Sequence, residues 1–421
     1  MREISTIIED VRALKIFNSR GEETVEVEVE TVDGLGVASA PSGASRGKWE
    51  AIPFPPGGVE ESIKKVEELI APKLVGMDAE DQESIDETLR EIDGTENFGN
   101  IGGNLAFAIS LATAEAAADS HNLNLFQYLG GNLDIELPLP LGNVLGGGKH
   151  ARGSVPDIQE FLVLPVGART FEEAAELNVK VHRKIGEILL KKNVGFNGGR
   201  GDEGAWAVNL SNREALDVVN QAVEEVSDET GRECRFGLDI AASSIWSEDK
   251  GVYVYARDGV ERRPQEQLEF VSEVIDKYRL IYVEDPFDEE DFESFTELTK
   301  EFRGKVMICG DDLFVTNRER LRRGIELGAA NAIIIKVNQI GTLTEAFKTV
   351  KEAKKAGYVT VVSHRSGETT DTKIAHLAIG FHSPILKSGV LGGERIAKIN
   401  EILRIESVFE GRTKLSSLQI R

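Results

Sequence analysis

The sequence predicts an α/β protein in which a smaller N-terminal α+β domain, residues 1–134, precedes a (β/α)8 barrel, residues 135–421. Three observations lead to this fold class. The first third shows a strand pattern followed by helical patterns, short apolar runs alternate with amphipathic helices from about residue 230 onward, and these runs are regularly spaced. A length of 421 residues also exceeds what one hydrophobic core usually serves, which favours two domains.

The N-terminal strand and helices are predicted from hydrophobic periodicity. Around residues 23–32, valines alternate with glutamates, which indicates a strand with one buried and one solvated face. Apolar residues recur at helical spacing over 59–70, and residues 104–119 form a second, alanine-rich helix. Glycine and proline cluster around 130–138, so we expect a loop and the end of the first domain there.

The later apolar runs predict parallel strands buried on both faces. Successive runs end 23–28 residues apart after a first interval of 45 residues, and most of these intervals fit one strand, one helix and two loops. Each run ends in an ionisable residue. These six residues are Asp239, Glu284, Asp311, Lys336, His364 and Lys387. Polar residues are common where a strand meets solvent, but six in register, with no Ser or Asn among them, favour the active-site mouth of a barrel.

Three of these residues predict a metal site. Asp239, Glu284 and Asp311 would repel one another at one point unless a cation lay between them. Their ligand atoms are all hard oxygens, which favours Mg²⁺ or Mn²⁺ over zinc. The alternative is that these carboxylates pair with Arg or Lys. Lys336 and Lys387 offer positive charge to an anionic substrate, and a lysine beside a divalent metal can act as a base.

Three glycine-rich segments carry further candidates. Residues 40–47 suit either a mobile lid or a simple turn, and residues 195–204 place Glu203 among glycines that permit close approach to a ligand. Residues 143–150 lack the spacing of a phosphate loop, so no nucleotide role is expected. Glu160 and Glu203 are candidates for acid–base chemistry.

Composition limits the partners of the chain. The formal charge is −23, from 72 acidic and 49 basic residues, and this argues against binding to nucleic acid or anionic membranes. The two cysteines, Cys234 and Cys309, lie in apolar contexts and are expected to be buried thiols of a reducing compartment. No signal peptide and no membrane span are expected, so the predicted location is the cytoplasm.

Several motifs, in order along the whole chain, resemble the enolase family, and the chain is similar to a divergent, archaeal-like member of it. The motifs are V-E-D-P-F at 283–287, G-D-D-L-F-V-T-N at 310–317, I-I-K-V-N-Q-I-G-T-L at 334–343 and S-H-R-S-G-E-T at 363–369. The resemblance implies a barrel that begins β-β-α-α, a homodimer or larger homo-oligomer, and Mg²⁺-dependent interconversion of 2-phosphoglycerate and phosphoenolpyruvate, with two Mg²⁺ ions per site. Enolase-superfamily sites pair a Lys or His base with one or two Mg²⁺ ions.

The resemblance also assigns roles to residues of this chain. The implied catalytic residues are Glu203 as acid, Lys336 as base, and Glu160 and His364 beside them. The implied substrate-binding residues are His150, Gln159, Glu160, Arg365, Ser366 and Lys387, with Arg365 and Ser366 on the phosphate. The implied ligands of the tightly held metal are Asp239, Glu284 and Asp311, and Ser45 is the implied ligand of a second ion that binds with substrate.

Several positions depart from the usual family pattern. Arg46 replaces a common Thr, Arg152 stands in an altered G-G-K-H-A-R-G, and Ala205, Trp206 and Val208 follow the G-D-E-G segment. His376 stands where Asp is usual. Two alternatives therefore stay open: a related enzyme for another 2-phosphorylated or 2-hydroxy acid, and a binding protein without turnover. The second would be favoured by loss of a metal carboxylate or of Lys336, and neither is lost.

Overall fold

The computed structural model of the chain describes residues 4–44, 47–131, 133, 135–153, 155–192, 195–418 and 420. Among these residues, no helix has both the length and the apolar character needed to cross a membrane.

The first part of the chain forms a three-stranded antiparallel sheet covered by helices. Its strands are β1 (Ile8–Phe17), β2 (Glu23–Thr31) and β3 (Leu35–Ser39), in that order across the sheet. The helices that follow are α1 (Gly58–Lys65), α2 (Ala71–Leu74), α3 (Gln82–Asp93), α4 (Gly103–Ser120) and α5 (Leu125–Gly130), with a π-helical turn at Val66–Ile70 between α1 and α2. The alternation in β2 works as predicted, since Val25, Val27 and Val29 are fully buried.

The second part contains a closed eight-stranded barrel. Its strands are β5 (Leu139–Gly146), β6 (Glu160–Leu164), β8 (Arg235–Asp239), β12 (Tyr282–Glu284), β13 (Met307–Gly310), β14 (Ala332–Ile335), β15 (Val359–Ser363) and β16 (Ile385–Gly389). They follow one another around the ring in chain order, and β16 pairs with β5 to close it. The predicted α/β barrel fold is confirmed. The boundary predicted between residues 134 and 135 stays a prediction.

The barrel begins with the β-β-α-α departure that the family resemblance implies. Strand β6 is antiparallel to both of its neighbours, β5 and β8, whereas the other strand pairs of the ring are parallel. Two helices, α6 (Phe171–Lys192) and α7 (Asn212–Thr230), then precede β8. Because β6 runs the other way, its first residue, Glu160, lies at the same end of the barrel as the last residues of the parallel strands.

The remaining elements surround the barrel. The helices are α8 (Pro264–Tyr278), α9 (Phe292–Glu301), α10 (Arg318–Leu327), α11 (Val337–Ile340), α12 (Leu343–Lys355), α13 (Lys373–Gly380) and α14 (Gly393–Val408). The further strands are β4 (Ile135–Leu137), β7 (Trp206–Ala207), β9 (Trp246–Ser247), β10 (Val252–Tyr255), β11 (Val260–Arg262) and β17 (Thr413–Leu415). Cys234 and Cys309 are free and buried, as expected.

One expected loop contains a strand. Within the segment around 130–138, β4 pairs in parallel with β17 near the end of the chain. Three residues are too few to show a period, and the pairing partner is far away in sequence, so local patterning gives no signal for this strand. The glycines and proline that predicted the loop flank the strand on both sides.

Candidate active site

The six ionisable residues predicted at strand ends lie around one mouth of the barrel. Asp239 and Glu284 end β8 and β12, Asp311, Lys336 and His364 directly follow β13, β14 and β15, and Lys387 lies within β16. Five of them line one cavity of about 210 Å³, and the sixth, Glu284, lies behind its wall in contact with Lys387. Sites for drug-sized ligands usually span ~300–1,000 Å³, so this smaller, polar cavity suits a metabolite.

Lys387 forms ion pairs with three buried carboxylates. Its Nζ lies 3.1 Å from Asp239 Oδ2, 2.8 Å from Glu284 Oε1 and 3.3 Å from Glu160 Oε2. Burial raises the pKa of Asp239 and Glu284, and Lys387 only partly offsets this. Burial alone would lower the pKa of Lys387, but its carboxylate neighbours outweigh it and raise that pKa well above the usual value. The ammonium thus stays charged and holds the carboxylates together.

A second lysine neutralises the third carboxylate. Lys336 forms an ion pair with Asp311, and Gln339 donates its amide N–H to the other oxygen of Asp311 at 2.9 Å. Burial would raise the pKa of Asp311, yet Lys336, Lys387 and Arg365 outweigh it and leave that pKa below its usual value. Burial would lower the pKa of Lys336, and Asp311 reverses this. All three carboxylates thus contact a lysine, and their assignment as metal ligands stays a prediction.

The mouth also offers hard ligands to a cation. Asp285, Asp311 and Asp312 each place a carboxylate oxygen within 4.8 Å of the others, and a second such group consists of His150, Glu160 and Glu203. Burial and the neighbouring Asp311 raise the pKa of Asp312 to about 8. Oxygen ligands and strong mutual repulsion suit a hard divalent ion of the Mg²⁺ type. Asp239 and Glu284 meet at Lys387, whereas Asp311 meets Lys336, so the predicted three ligands do not converge on one atom here.

Glu203 lies across the cavity among three polar side chains. Asn143 of β5 donates to Glu203 Oε2 at 2.9 Å, His364 Nε2 lies 3.2 Å from the same oxygen, and His150 Nδ1 lies 3.5 Å from Oε1. His150 Nδ1 is also 3.1 Å from Oε1 of Glu160. Burial opposes ionisation of Glu203, but His364, His150 and Arg395 outweigh it and hold its pKa well below the usual range.

The tautomer of His364 follows from its partners. Arg395 has no acceptor atom, so its guanidinium must donate to His364 Nδ1, at 2.7 Å. Nδ1 is therefore unprotonated in the neutral ring, and Nε2 carries the proton that faces Glu203. Burial lowers the pKa of His364, which keeps the ring neutral. His364 thus presents a donor to the carboxylate of Glu203.

Arg365 and Ser366 form the side of the cavity that is expected to contact a phosphate. Arg365 donates to both oxygens of Glu50, at 3.0 and 3.3 Å, and to Asn338 Oδ1 at 3.0 Å. Ser366 Oγ is buried and has no hydrogen-bond partner among the described residues. A buried hydroxyl without a partner is costly, so Ser366 is set up for a polar ligand.

Gln159 and Ser45 are the two remaining predicted residues. Gln159 lies in the cavity wall and donates to Asp239 Oδ2 at 3.4 Å. Ser45 lies outside the described residues. Its neighbours Gly43, Ala44 and Gly47 line the cavity.

Sequence reasoning missed several residues that support the site. Arg395 of α14 is fully buried and donates to His364 Nδ1 and to the carbonyl oxygens of Arg365 and Ser366, both at 2.6 Å. Lys398, one turn further on, pairs with Glu368 at 2.8 Å. The other residues missed are Glu50, Asn143, Gln339 and Asn338. Arg395 and Lys398 stand three residues apart in the E-R-I-A-K segment, so a predicted helix places both cations on one face, which was the signal available in the sequence.

The fold and the site together define a barrel enzyme whose buried carboxylates, lysines and histidines suit metal-assisted acid–base chemistry. Comparison with known families agrees with this class. Residues 8–129 match the family model "Enolase, N-terminal domain", and residues 134–419 match "Enolase, C-terminal TIM barrel domain". Two proteins named enolase, from Methanothermobacter thermautotrophicus and Methanosphaera stadtmanae, are 56% and 55% identical over 96% of this chain and 97% of their own length.

A third relative, the enolase of Archaeoglobus fulgidus, is 50% identical over 96% of the chain and 98% of its own length. The chain therefore belongs to the enolase family and is an archaeal-like member of it, as the motifs predicted. It is an enzyme of the hydro-lyase class.

Proposed function

We propose that the protein catalyses the reversible dehydration of 2-phosphoglycerate to phosphoenolpyruvate, with Lys336 as base and Glu203 as acid. The observation that carries this assignment is that both groups reach one cavity from opposite sides of the barrel. Lys336 follows β14, which lies four strands around the eight-stranded ring from β6. Glu160, the first residue of β6, shares His150 with Glu203. An elimination requires this arrangement, since a proton leaves one carbon and a hydroxyl leaves the next.

Proton removal from C2 is the difficult step, because the carbon lies next to a carboxylate and is very weakly acidic. Lys336 is a base only when it loses its proton, and Asp311 now opposes that loss. A metal held by Asp239, Glu284 and Asp311, with Ser45 for a second ion, would supply positive charge that offsets the charge gained by the substrate. Drawing Asp311 away from Lys336 would lower the pKa of this lysine towards the value that a general base needs.

Departure of the C3 hydroxyl requires a proton, which we assign to Glu203. In the free site the pKa of Glu203 lies well below its usual value. A substrate with a phosphate and a carboxylate brings further negative charge into the cavity, and like charges favour the protonated acid. His364 Nε2 lies 3.2 Å from this acid and Glu160 shares His150 with it, so both are placed to orient it.

The phosphate is assigned to Arg365 and Ser366, and the carboxylate to the neighbourhood of Lys387. The fork of Arg365 suits a phosphate, and Ser366 Oγ is a buried hydroxyl with no hydrogen-bond partner among the described residues. His150 and Gln159 complete the wall. The Arg365 guanidinium donates a hydrogen bond to Glu50, so this arginine is held in place before substrate binds.

The alternative substrate class draws no support from the described positions that suggested it. Arg152, Ala205 and Trp206 are not among the described residues that line the cavity, and Arg46 lies outside the described part of the chain. The unusual residues at these three positions leave the side chains that line the cavity unchanged. We therefore retain 2-phosphoglycerate as the substrate.

Three further features belong to the same proposal: two Mg²⁺ ions per site, a homodimer or larger homo-oligomer, and a cytoplasmic location in glycolysis and gluconeogenesis. The oxygen-rich mouth supports Mg²⁺, and the two buried free thiols and strongly acidic composition support a reducing, non-membrane compartment.

The test is ultraviolet detection of phosphoenolpyruvate formed from 2-phosphoglycerate, with and without Mg²⁺. We expect Mg²⁺-dependent turnover that Lys336→Ala reduces by about 10²–10⁴-fold, the usual contribution of a positioned base. Lys351→Ala, on the exposed side of α12, is the control and should keep wild-type turnover. Folded protein that binds Mg²⁺ but gives no product would overturn the proposed reaction.

A further inference from the structure

The backbone that carries Glu203 is fixed from two sides. On one side it packs against the connection that follows β16: a Cβ on Gly204 would lie 2.0 Å from the carbonyl oxygen of Leu391, and one on Gly389 would lie 2.1 Å from that of Glu203. Only glycine permits so close an approach. On the other side, the same backbone faces His182 of α6.

His182 is a buried, neutral histidine with a defined tautomer. Its Nε2 lies 3.0 Å from the carbonyl oxygen of Gly204, an acceptor, so Nε2 must carry the proton and donate it. Burial lowers the pKa of His182 to about 4, which keeps the ring neutral near pH 7. Nδ1 has no hydrogen-bond partner among the described residues. If this side chain only filled space, its buried, unpaired Nδ1 would cost stability that a Leu or Phe would not lose.

Trp206 completes the contact from the other direction. Its indole Nε1 donates to the backbone carbonyl of His182 at 2.7 Å, and its ring lies on the imidazole with centroids 4.5 Å apart. Phe196 packs edge-on against the same indole at 5.2 Å. Helix α6 and the segment 203–207 therefore exchange two hydrogen bonds: His182 donates to Gly204, and Trp206 donates to His182.

From this geometry we infer that His182 and Trp206 are positioning residues that hold Glu203 against His364 and Asn143. Neither side chain lines the cavity within the described part of the chain, so both act through the backbone of Gly204. The inference rests on the proposed role of Glu203 as the acid. A shift of about 1 Å in a reacting group can cost ~10²-fold in rate, so loss of this support should reach the chemistry.

The experiment compares His182→Leu, His182→Gln and Trp206→Phe with wild type and with Glu203→Gln. Leucine removes the donor, whereas glutamine restores an N–H that can reach the Gly204 carbonyl. Phenylalanine keeps a ring but loses the bond to His182. The control is His376→Leu, since His376 is also buried, also has an unpartnered Nδ1 within the described residues, and also lies near an aromatic ring, Phe126, at 5.8 Å.

Two activity readouts separate positioning from general damage. We expect His182→Leu to lower kcat by about 10- to 100-fold. The KM for 2-phosphoglycerate and the exchange of the C2 proton with D₂O should be retained, because Lys336, Arg365 and Ser366 are untouched. His182→Gln should regain most of the lost kcat, and Trp206→Phe should fall between wild type and His182→Leu. Wild-type kcat in His182→Leu would overturn the inference.

A conformational readout tests the same contact without turnover, and it still applies if a variant is inactive. The amides of Gly201, Gly204 and Ala207 donate to carbonyls within residues 199–207, at 2.9, 3.2 and 3.0 Å. Their hydrogen–deuterium exchange should rise in His182→Leu and not in His376→Leu. If His182→Leu does not fold, Trp206→Phe and His182→Gln provide the comparison. Equal exchange in Trp206→Phe and wild type would contradict the contact.

The outcomes also distinguish this inference from the proposed function. Absence of turnover in wild type rejects the reaction, while the exchange data still decide whether the contact exists. Turnover that survives Glu203→Gln rejects the role of the acid. Turnover lost in Glu203→Gln but unchanged in His182→Leu rejects only the positioning role.

Discussion

Lys387 serves as the shared counter-ion of three buried carboxylates, Asp239, Glu284 and Glu160. One ammonium cannot neutralise three ionised carboxylates, so this group would carry excess negative charge if all three were ionised. Buried charge without compensation is costly, and a protein can reduce that cost by binding a cation or by raising a pKa. The raised pKa values of Asp239 and Glu284 show the second response in the free site.

Metal binding should therefore stabilise the fold measurably. Because the ion binds only the folded state, Mg²⁺ at a hundred times its Kd should raise the free energy of unfolding by about 2.7 kcal/mol. We therefore expect Tm to rise as well. Glu284→Gln should lose most of this rise. Asp276→Asn, which changes an exposed carboxylate on α8, should keep it. Thermal denaturation with Mg²⁺ or with chelator measures the effect, and an equal rise in both variants would argue against Glu284 as a ligand.

His182 gives a second consequence at the residue scale, in the pH dependence of stability. Its pKa falls from an ordinary 6.5 to about 4 in the fold, so between these values the unfolded chain binds more protons. Stability is then retained above pH ~6.5 and lost progressively as the pH falls towards ~4, by about 3 kcal/mol in total.

His182→Gln removes this titration, so its free energy of unfolding should change less between pH 6.5 and pH 4.5 than that of wild type. Urea denaturation at the two pH values measures the difference. Lys351→Ala, which changes an exposed residue on α12, is the control and should follow wild type. A parallel loss in wild type and His182→Gln would show that other groups account for the acid sensitivity.

Among the elements, α14 contributes most to the site without lining the cavity. Arg395 reaches from this helix to His364, Arg365 and Ser366 and lies 3.3 Å from the carbonyl oxygen of Asp202. Its planar fork bonds several acceptors at once, which an ammonium cannot do. The helix thus fixes both the tautomer of His364 and the backbone of the proposed phosphate site.

Arg395→Lys should lower the free energy of unfolding by about 2–4 kcal/mol, because it leaves several buried acceptors unpaired. The KM for 2-phosphoglycerate should also rise, since Arg365 and Ser366 lose their support. Arg404→Lys, with an exposed side chain on the same helix, is the control for helix content. Denaturation curves and steady-state kinetics give both quantities, and an unchanged KM would restrict Arg395 to a structural role.

The elements also show which features local sequence can predict. Parallel strands buried on both faces give continuous apolar runs, so the carboxyl ends that carry Asp239, Glu284 and Asp311 could be predicted directly. Glu160 could not be placed this way, because β6 runs antiparallel and brings its first residue to the mouth. Glu50 and Arg395 were missed since their partners lie far away in the chain, and a local period carries no information on such pairs.

At the scale of the whole molecule, the N-terminal part completes the cavity that the barrel begins. Ser42 and Gly367 exchange two backbone hydrogen bonds, at 2.7 and 2.8 Å, and the backbone N–H of Ala51 donates to the Gln339 carbonyl at 2.8 Å. Glu50 reaches Arg365 from the same segment. Strand-end residues alone therefore do not form the site, and the barrel depends on Gly43, Ala44, Gly47 and Glu50 for one wall.

The net charge makes a prediction for the whole molecule. The chain has a formal charge of −23, which repels a phosphorylated substrate. Salt screens this repulsion beyond about 10 Å in 0.1 M solution. We expect kcat/KM to rise as potassium chloride increases from low to moderate concentration at constant free Mg²⁺. Stopped-flow or steady-state assays can measure this dependence. A steady decrease with salt would show instead that the lysines and arginines at the mouth dominate the approach.

The support that α14 gives to His364, Arg365 and Ser366 has a consequence for how the protein is made. His364, Arg365 and Ser366 are synthesised before Arg395, and β4 is synthesised before its pairing partner β17. A nascent chain therefore lacks the buried guanidinium that orders the proposed phosphate site until α14 has been made. A truncated chain that stops before α14 should accordingly be inactive.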